Sequence, residues 1–330
     1  MKKFEIKKAR ANRSACKWLL TMAALFALSL PLAACDAGVS QAPSTGICYR
    51  VTNGRNELFL LGSIHIGSKR MYPFGSHIAQ ALNAADTLVF ECDTEAPSAV
   101  PLMNAMMACP PGETLEQLVS PETYALLAQV CEQTGIPLVS MNALRPWAAV
   151  SALSLPQAAA EMGVKDANAA YALGVEAQVR KLGGDKPRAY LETVREQLDV
   201  LSGFSAELQD YLLSSTCTAI LHPEEATGMD AGIQSWPDWW ANGDADAFAQ
   251  SYIEGAKADP QQALIAEYNA ALITARNQRM ADGLRALLEG EEGHSYFATI
   301  GLLHLVLPGD SVVERLQSMG YQVERVLPHS

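Results

Sequence analysis

One short pattern occurs twice in the chain and would bring two histidines to a common site. Residues 62–65 (Gly-Ser-Ile-His) and 301–304 (Gly-Leu-Leu-His) each follow an apolar run that predicts a strand. A glycine at a strand end permits a tight turn, and ligands of open α/β sheets bind at the carboxyl ends of the strands. If the two strands lie close together, the imidazoles of His65 and His304 converge. The chain has six histidines, so two in equivalent positions favour a shared site.

A glutamate ends a third predicted strand. Glu91 follows the apolar residues 87–90, and a carboxylate there is costly to bury unless it is paired, hydrogen-bonded or bound to a metal. Two imidazoles and one carboxylate are a common divalent-metal set with positions left for water and substrate. Alternatively, His65 acts as a general base without metal and Glu91 orients it.

The remaining pattern predicts an α/β protein with a mixed central sheet, flanking helices and a largely helical middle region. Strands are predicted at 48–51, 58–61, 87–90, 137–140, 187–191, 296–300 and 322–326. Helices are predicted at 76–85, 115–134, 148–161, 192–201, 208–221, 261–288 and 310–319. Since strands occupy both ends, we expect one domain over residues 47–330 whose sheet gathers the two ends of the chain.

The first 34 residues have the features of an export signal. A basic leader precedes an apolar run, and small residues follow. The ending Leu-Ala-Ala-Cys resembles a bacterial lipobox, which predicts a lipoprotein signal peptide at 1–34 and lipidation of Cys35. Residues 35–46 are then a lipidated tether. We expect an exported protein on the periplasmic side of a membrane in the cell envelope, and Asp36 slightly favours the inner membrane.

Removing the leader makes the protein strongly acidic. The count falls from 24 basic and 36 acidic residues to 17 and 35, and the formal charge goes from −12 to −18. This charge argues against a nucleic-acid partner and against electrostatic docking to anionic lipid. A peptide or small-molecule substrate is expected instead, while the oligomeric state stays open.

The cysteines add little to this picture. After Cys35 an odd number remains, so at least one is unpaired or bonds outside the chain: Cys48, Cys92, Cys109, Cys131 and Cys217. Cys109 and Cys131 flank one predicted helical stretch and could pair in an oxidising compartment.

Several motifs together resemble the TraB/GumN (TraB/PrgY/GumN) family, which is related to the Tiki metalloproteases. They span the chain from about residue 48 to 326, and only their combination is specific. The matching segments are 60–67, 72–73, 84–93, 144–147, 191–193 with Gln197, 276–280, 300–305 and 320–323.

The resemblance implies an erythromycin-esterase/ChaN-like architecture and a metal-dependent, peptidase-like site. Carried onto this sequence, it selects His65, Glu91 and His304 as metal ligands. Arg276 and Asn277 would lie beside them, where Arg276 fixes a carboxylate or stabilises an oxyanion and Asn277 contacts substrate. The family's middle motif often has an aspartate where this chain has Glu176, so an acid that contacts metal or substrate is one methylene longer here.

The resemblance therefore predicts a membrane-anchored, metal-dependent hydrolase with a divalent ion, without distinguishing manganese, cobalt and zinc. The alternative is a non-catalytic lipoprotein that binds a peptide, a pheromone or haem in the same cleft, haem through an axial histidine or tyrosine.

Overall fold

The computed structural model describes residues 42–223, 231–290 and 293–328. The predicted signal peptide and Cys35 lie outside the described residues, and the division of the chain into signal, tether and domain stays a prediction. Within the described ranges, no helix is both long and apolar enough to cross a membrane.

Six strands of the described residues form one mixed sheet. They are β1 (Cys48–Thr52), β2 (Glu57–Ser63), β3 (Thr87–Phe90), β4 (Arg188–Tyr190), β5 (Ser295–Gly301) and β6 (Gln322–Val326). The spatial order is β4-β3-β5-β2-β1-β6. β4, β3, β5 and β2 run parallel, whereas β1 is antiparallel to both of its neighbours. The α/β fold is confirmed, and so is the prediction that the sheet gathers both ends of the chain.

Helices supply most of the rest. The α-helices of the described residues are α1 (Ser76–Ala84), α2 (Ala99–Met107), α3 (Leu115–Leu118), α4 (Pro121–Thr134), α5 (Leu138–Asn142), α6 (Pro146–Glu161), α7 (Ala167–Ala172), α8 (Val175–Gly183), α9 (Val194–Ser202), α10 (Ala206–Leu221), α11 (Ala231–Asn242), α12 (Ala245–Ala258), α13 (Gln262–Asn269), α14 (Ala275–Leu288), α15 (Leu302–Val306) and α16 (Val312–Ser318). The largely helical middle is confirmed, while the specific erythromycin-esterase/ChaN-like architecture stays a prediction.

Both faces of the sheet are covered. Successive residues of a strand point to opposite faces, and Leu60 and Leu61 of β2 accordingly join two different buried apolar clusters. In β3, Phe90 joins the larger cluster and Val89 the smaller one. This double burial explains why these strands are apolar throughout rather than alternating, and it fixes the register of the strand ends that carry the site.

Two sequence predictions of elements need correction. The strand predicted at 137–140 is wrong, because Pro137 precedes a short helix, α5, in which Val139 is 77% exposed. The helix predicted at 115–134 is split into α3 and α4, since the Ser120 side chain caps α4 and Pro121 begins it. The region at 261–288, for which the sequence leaves open one broken helix, is helical, and a π-helical segment, Ala270–Thr274, separates α13 from α14.

The last residues of the predicted tether pack against the domain. Ser44 N–H donates to the Pro73 carbonyl at 2.8 Å, and Thr45 N–H donates to the Ala241 carbonyl at 2.7 Å. The buried His77 ring lies with Nε2 2.8 Å from the Thr45 carbonyl. Ser44 and Thr45, which the sequence assigns to the tether, are therefore packed against the folded domain.

Candidate metal centre

The two Gly-x-x-His turns lie side by side at the carboxyl edge of the sheet. β2 and β5 are parallel neighbours, with Ser63 paired to Gly301 in the register. His65 lies two residues after the end of β2, and His304 lies in α15, which begins as β5 ends. β3 lies on the other side of β5 and ends at Phe90, one residue before Glu91. The convergence of the three strand ends is thus confirmed.

Two glycines allow this crowding. A Cβ on Gly301 would lie 3.1 Å from Glu91 Oε1 and 3.2 Å from His304 Cδ2. A Cβ on Gly174 would lie 2.2 Å from the carbonyl oxygen of His65, a separation that real Cβ atoms do not tolerate. Gly174 therefore lets the start of α8 rest on the first turn, and this contact brings Glu176 to the site.

Glu91 is buried and ionised. It accepts hydrogen bonds from Gly301 N–H (2.6 Å), Gln197 Nε2 (3.0 Å) and Arg276 Nη2 (2.5 Å). Burial alone would raise the pKa of this carboxyl, but the charge of Arg276, the two imidazoles and the Gly301 N–H lower the pKa to about 2. Glu91 therefore presents a charged, oriented carboxylate at neutral pH.

Arg276 binds the carboxylates of the protein itself. Its side chain is 1% exposed, and besides Glu91 it donates from Nε and Nη2 to Glu192 Oε2 at 3.0 and 2.8 Å. Arg279 Nη2 reaches the other oxygen of Glu192 at 2.9 Å. The resemblance implies that Arg276 clamps a substrate carboxylate or an oxyanion, and that role stays a prediction, because in this structure Arg276 is bound to the carboxylates of Glu91 and Glu192.

His304 is neutral, and its partners define its tautomer. Asn277 Nδ2 donates to the Asp310 carbonyl at 2.6 Å, which leaves Asn277 Oδ1 as an acceptor 2.6 Å from His304 Nδ1. Nδ1 therefore carries the proton, and Nε2 accepts from Arg276 Nη1 at 3.3 Å. Burial and the charge of Arg276 lower the pKa of His304 to about 3. Asn277 was expected to contact substrate, but here it positions an imidazole.

His65 and Glu176 form the more open half of the site. His65 Nδ1 lies 3.6 Å from Glu176 Oε2, and the two side chains are 12% and 18% exposed. Ser63 Oγ donates to Glu176 Oε1 at 3.3 Å. Burial would lower the pKa of His65, but Glu176 and Glu91 raise it above its ordinary value. Glu176 lies in the first turn of α8, where the helix dipole favours an anion.

Three of these residues could together hold a divalent ion. His65, Glu91 and Glu176 each offer one ligand atom, and the three atoms lie within 4.8 Å of one another. One imidazole nitrogen with two carboxylate oxygens suits zinc, manganese or cobalt ions. Within the described part of the chain, this group contains two of the three predicted ligands, and Glu176 stands where His304 was expected.

Two polar residues behind the site received no role from the sequence. Glu192 follows β4 as Glu91 follows β3, and its N–H donates to the Glu91 carbonyl at 2.7 Å. Gln197 Nε2 bridges Glu91 Oε2 and Glu192 Oε2 at 3.0 and 3.2 Å, while Cys92 Sγ–H donates to Gln197 Oε1 at 3.0 Å. A carboxylate at a strand end was the signal that identified Glu91, and the same signal was available for Glu192.

An apolar cavity of about 40 Å³ lies between the two turns. Its lining comes from residues 63–65 and 301–304 together with Trp236 and Phe248. Nearby, the buried Trp240 donates its indole N–H to the Gly62 carbonyl at 2.8 Å and so holds the first turn. The tryptophans of α11 thus serve the site both as lining and as support.

The five cysteines that follow Cys35 are all free thiols in the described structure. Cys109 Sγ–H donates to the Leu144 carbonyl at 3.1 Å, and the candidate bond to Cys131 is not formed. No disulfide crosses the region of the site.

Comparison of the chain with known proteins identifies a family and several relatives. The model of the TraB/PrgY/gumN family matches residues 47–325. One similar protein is "Metalloprotease TIKI2" of Danio rerio, 24% identical, with 96% of this chain and 69% of the relative covered. "Uncharacterized protein YbaP" of Escherichia coli (strain K12) is 25% identical over 78% of this chain and 87% of its own length. The protein of the same name from Shigella flexneri has the same identity and coverage. No solved structure matches the chain.

Proposed function

Because this chain belongs to the TraB/PrgY/gumN family, we propose that it is a metal-dependent hydrolase of peptide bonds, anchored to a membrane of the cell envelope by lipid on Cys35. The observation that carries the proposal is the group of three ligand atoms from His65, Glu91 and Glu176 within 4.8 Å. The relative named as a metalloprotease supports the reaction class. A peptide, or a small molecule with a similar acyl bond, would be the substrate.

The charges of the site favour a cation. Glu91, Glu176 and Glu192 contribute three carboxylates, whereas Arg276 and Arg279 contribute two guanidinium groups. The one negative charge that remains favours a cation over an anion. A divalent ion held there would polarise a substrate carbonyl and lower the pKa of a water molecule. The ligands are nitrogen and oxygen, so manganese, cobalt and zinc all remain candidates.

The residues around the ligands have distinct roles in this proposal. Arg276, Gln197 and Gly301 hold the Glu91 carboxylate in one orientation, as outer partners of metal ligands commonly do. Glu176 orients the His65 ring. His304 keeps a neutral imidazole beside Glu91, where its Nε2 accepts a hydrogen bond from Arg276 Nη1 and so helps to hold the guanidinium group that orients the Glu91 carboxylate.

Elemental analysis and a turnover assay on one preparation test this proposal. Mature protein purified without chelator should contain about one equivalent of manganese, cobalt or zinc and cleave a peptide library. His65→Ala should lose both properties and stay folded. His294→Ala should keep both, because His294 precedes β5, at the end of the strand opposite the ligands. Metal-free wild-type protein that still cleaves peptides, or normal turnover by His65→Ala, would contradict the proposal.

The alternative, a non-catalytic binding protein, makes different demands on the cleft. Haem needs far more room than the roughly 40 Å³ between the turns, and both ring nitrogens of His304 are engaged. A peptide or pheromone that binds without being cleaved would need to place only one small side chain in this cavity. Stoichiometric peptide binding with no hydrolysis at any metal loading would favour this alternative.

A further inference from the structure

The cavity between the two Gly-x-x-His turns adjoins the proposed reaction centre directly. His65 and His304 form part of its wall, and Ser63 and Gly301 close it at the ends of β2 and β5. Any peptide placed with its bond at His65, Glu91 and Glu176 would have a neighbouring side chain at this cavity.

The lining of the cavity leaves it almost without hydrogen-bonding groups. Its remaining walls are the side chains of Ile64, Leu302, Leu303, Trp236 and Phe248. The Ser63 hydroxyl donates to Glu176, and the His304 nitrogens face Asn277 and Arg276. Besides the His65 and Trp236 rings, a polar side chain placed here would find few hydrogen-bonding groups, so the loss of its water would be unfavourable.

The size of the cavity sets a second limit. About 40 Å³ is roughly three times the ~10–15 Å³ that a single water needs, which is space for a few carbon atoms. The wall is also firmly packed, because Phe248 is 2% exposed and its ring contacts Trp236 and Trp239 with centroids 5.8 and 5.5 Å away. Expansion to admit an aromatic ring would have to displace these rings.

We propose that the cavity is a specificity pocket that takes a small aliphatic side chain, of alanine to valine size, next to the reacting bond. The identity of the site as a peptide hydrolase rests on the proposed function, whereas the pocket itself rests on its size and lining. Trp236 and Phe248 would be the residues that determine specificity.

A binding experiment tests the pocket without any need for turnover. Metal-free protein labelled with fluorotryptophan reports Trp236 by fluorine NMR, with its resonance assigned through Trp236→Phe. N-acetyl-valinamide should shift this resonance at about tenfold lower concentration than N-acetyl-phenylalaninamide. Phe248→Ala should reverse the order, while Phe204→Ala, which removes a buried ring that packs on Tyr268, should leave it unchanged.

A second variant covers the case in which Phe248→Ala fails to fold. Leu303→Phe adds atoms to the wall of the pocket and should abolish the response to N-acetyl-valinamide. No response of the Trp236 resonance in wild type, or equal response to both compounds, would overturn the proposal.

Cleavage of a peptide panel tests the pocket proposal separately from the hydrolase proposal. If the protein binds the two compounds in the expected order but cleaves no peptide, the pocket stands and the hydrolase proposal fails. If it cleaves peptides with no preference for alanine or valine over phenylalanine beside the bond, the pocket proposal fails and the hydrolase stands.

Discussion

At the scale of single residues, the site depends on charges that are buried together. Arg276 has two carboxylate partners and one imidazole partner, and each of these groups is almost completely removed from water. Removing one member of a buried ion pair is costly because the other charge is left without compensation. The orientation of Glu91 is therefore inseparable from that of Arg276 and Glu192.

Glu192→Gln should weaken metal binding although Glu192 is not in the ligand group. Without this charge, Arg276 would pair more closely with Glu91 and draw the carboxylate from the ion, so we expect a 10- to 100-fold higher metal Kd, as is typical for outer partners of metal ligands. Titration of metal-free protein measures the Kd, and denaturant unfolding measures the accompanying loss of stability.

Glu196→Gln is the matched control, because Glu196 lies nearby in the first turn of α9 but contacts the Thr193 cap instead. If Glu192→Gln keeps the wild-type metal Kd and changes only stability, as Glu196→Gln does, then Arg276 does not affect metal binding through Glu91.

At the scale of elements, α16, the helix after the one that contains His304, helps to hold the His304 ring. Asn277 anchors the His304 ring and donates to the Asp310 carbonyl, which directly precedes Ser311, the N-cap of α16. Ser311 and Glu314 form a capping box in which each side chain accepts from the backbone N–H of the other residue. A local capping motif is thus connected to the tautomer of a buried imidazole.

Ser311→Ala should lower the free energy of unfolding by about 1 kcal/mol, as is usual for the loss of an N-cap. Ser318→Ala, at the other end of α16, removes an exposed hydroxyl that bonds only the Arg315 carbonyl and should change stability little. Urea unfolding of both variants measures the difference, and equal midpoints would contradict the role of the cap.

The capping box also predicts a pH dependence. Burial would raise the pKa of Glu314, but hydrogen bonds from Gly309 N–H, Ser311 N–H and the Ser311 hydroxyl lower it. A carboxyl whose pKa is lower in the folded state stabilises the fold above its unfolded pKa, and this contribution is lost as the pH falls through the folded pKa. The stability difference between wild type and Glu314→Gln should therefore shrink under acidic conditions.

The positions of strands and helices also show what the sequence could and could not predict. The meeting of His65, Glu91 and His304 could be predicted, because apolar strands next to one another end at a common edge. The place of Glu176 at the site followed only from the family resemblance and not from the pattern of strands, because it depends on Gly174 resting against His65, a contact between segments far apart in the chain. The helix α5 was missed because its five residues after Pro137 are too few to show a periodicity.

At the scale of the whole molecule, attachment and surface charge are linked. With the leader removed, the chain carries a formal charge of −18, so anionic lipid headgroups repel it and add nothing to membrane binding. The chain from Cys35 to Ser44 extends over at most about 30 Å. Lipid on Cys35 would therefore keep Ser44 within that distance of the membrane surface. The site would lie farther from the surface by no more than the size of the domain.

Cys35→Ser should accordingly release the protein from the membrane completely. Each buried methylene of an acyl chain contributes about 0.8 kcal/mol, and stable anchoring requires two attachment signals, such as two chains or one chain with a basic patch. The net negative charge gives no attraction to anionic lipid that would retain the chain once the acyl chains are lost. Fractionation of cells that express each form measures how much of the protein is bound to membranes. Mass spectrometry of the mature N-terminus shows whether lipid is attached. If Cys35→Ser still sediments with membranes after a high-salt wash, an uncleaved apolar leader or a protein partner anchors the chain instead of lipid.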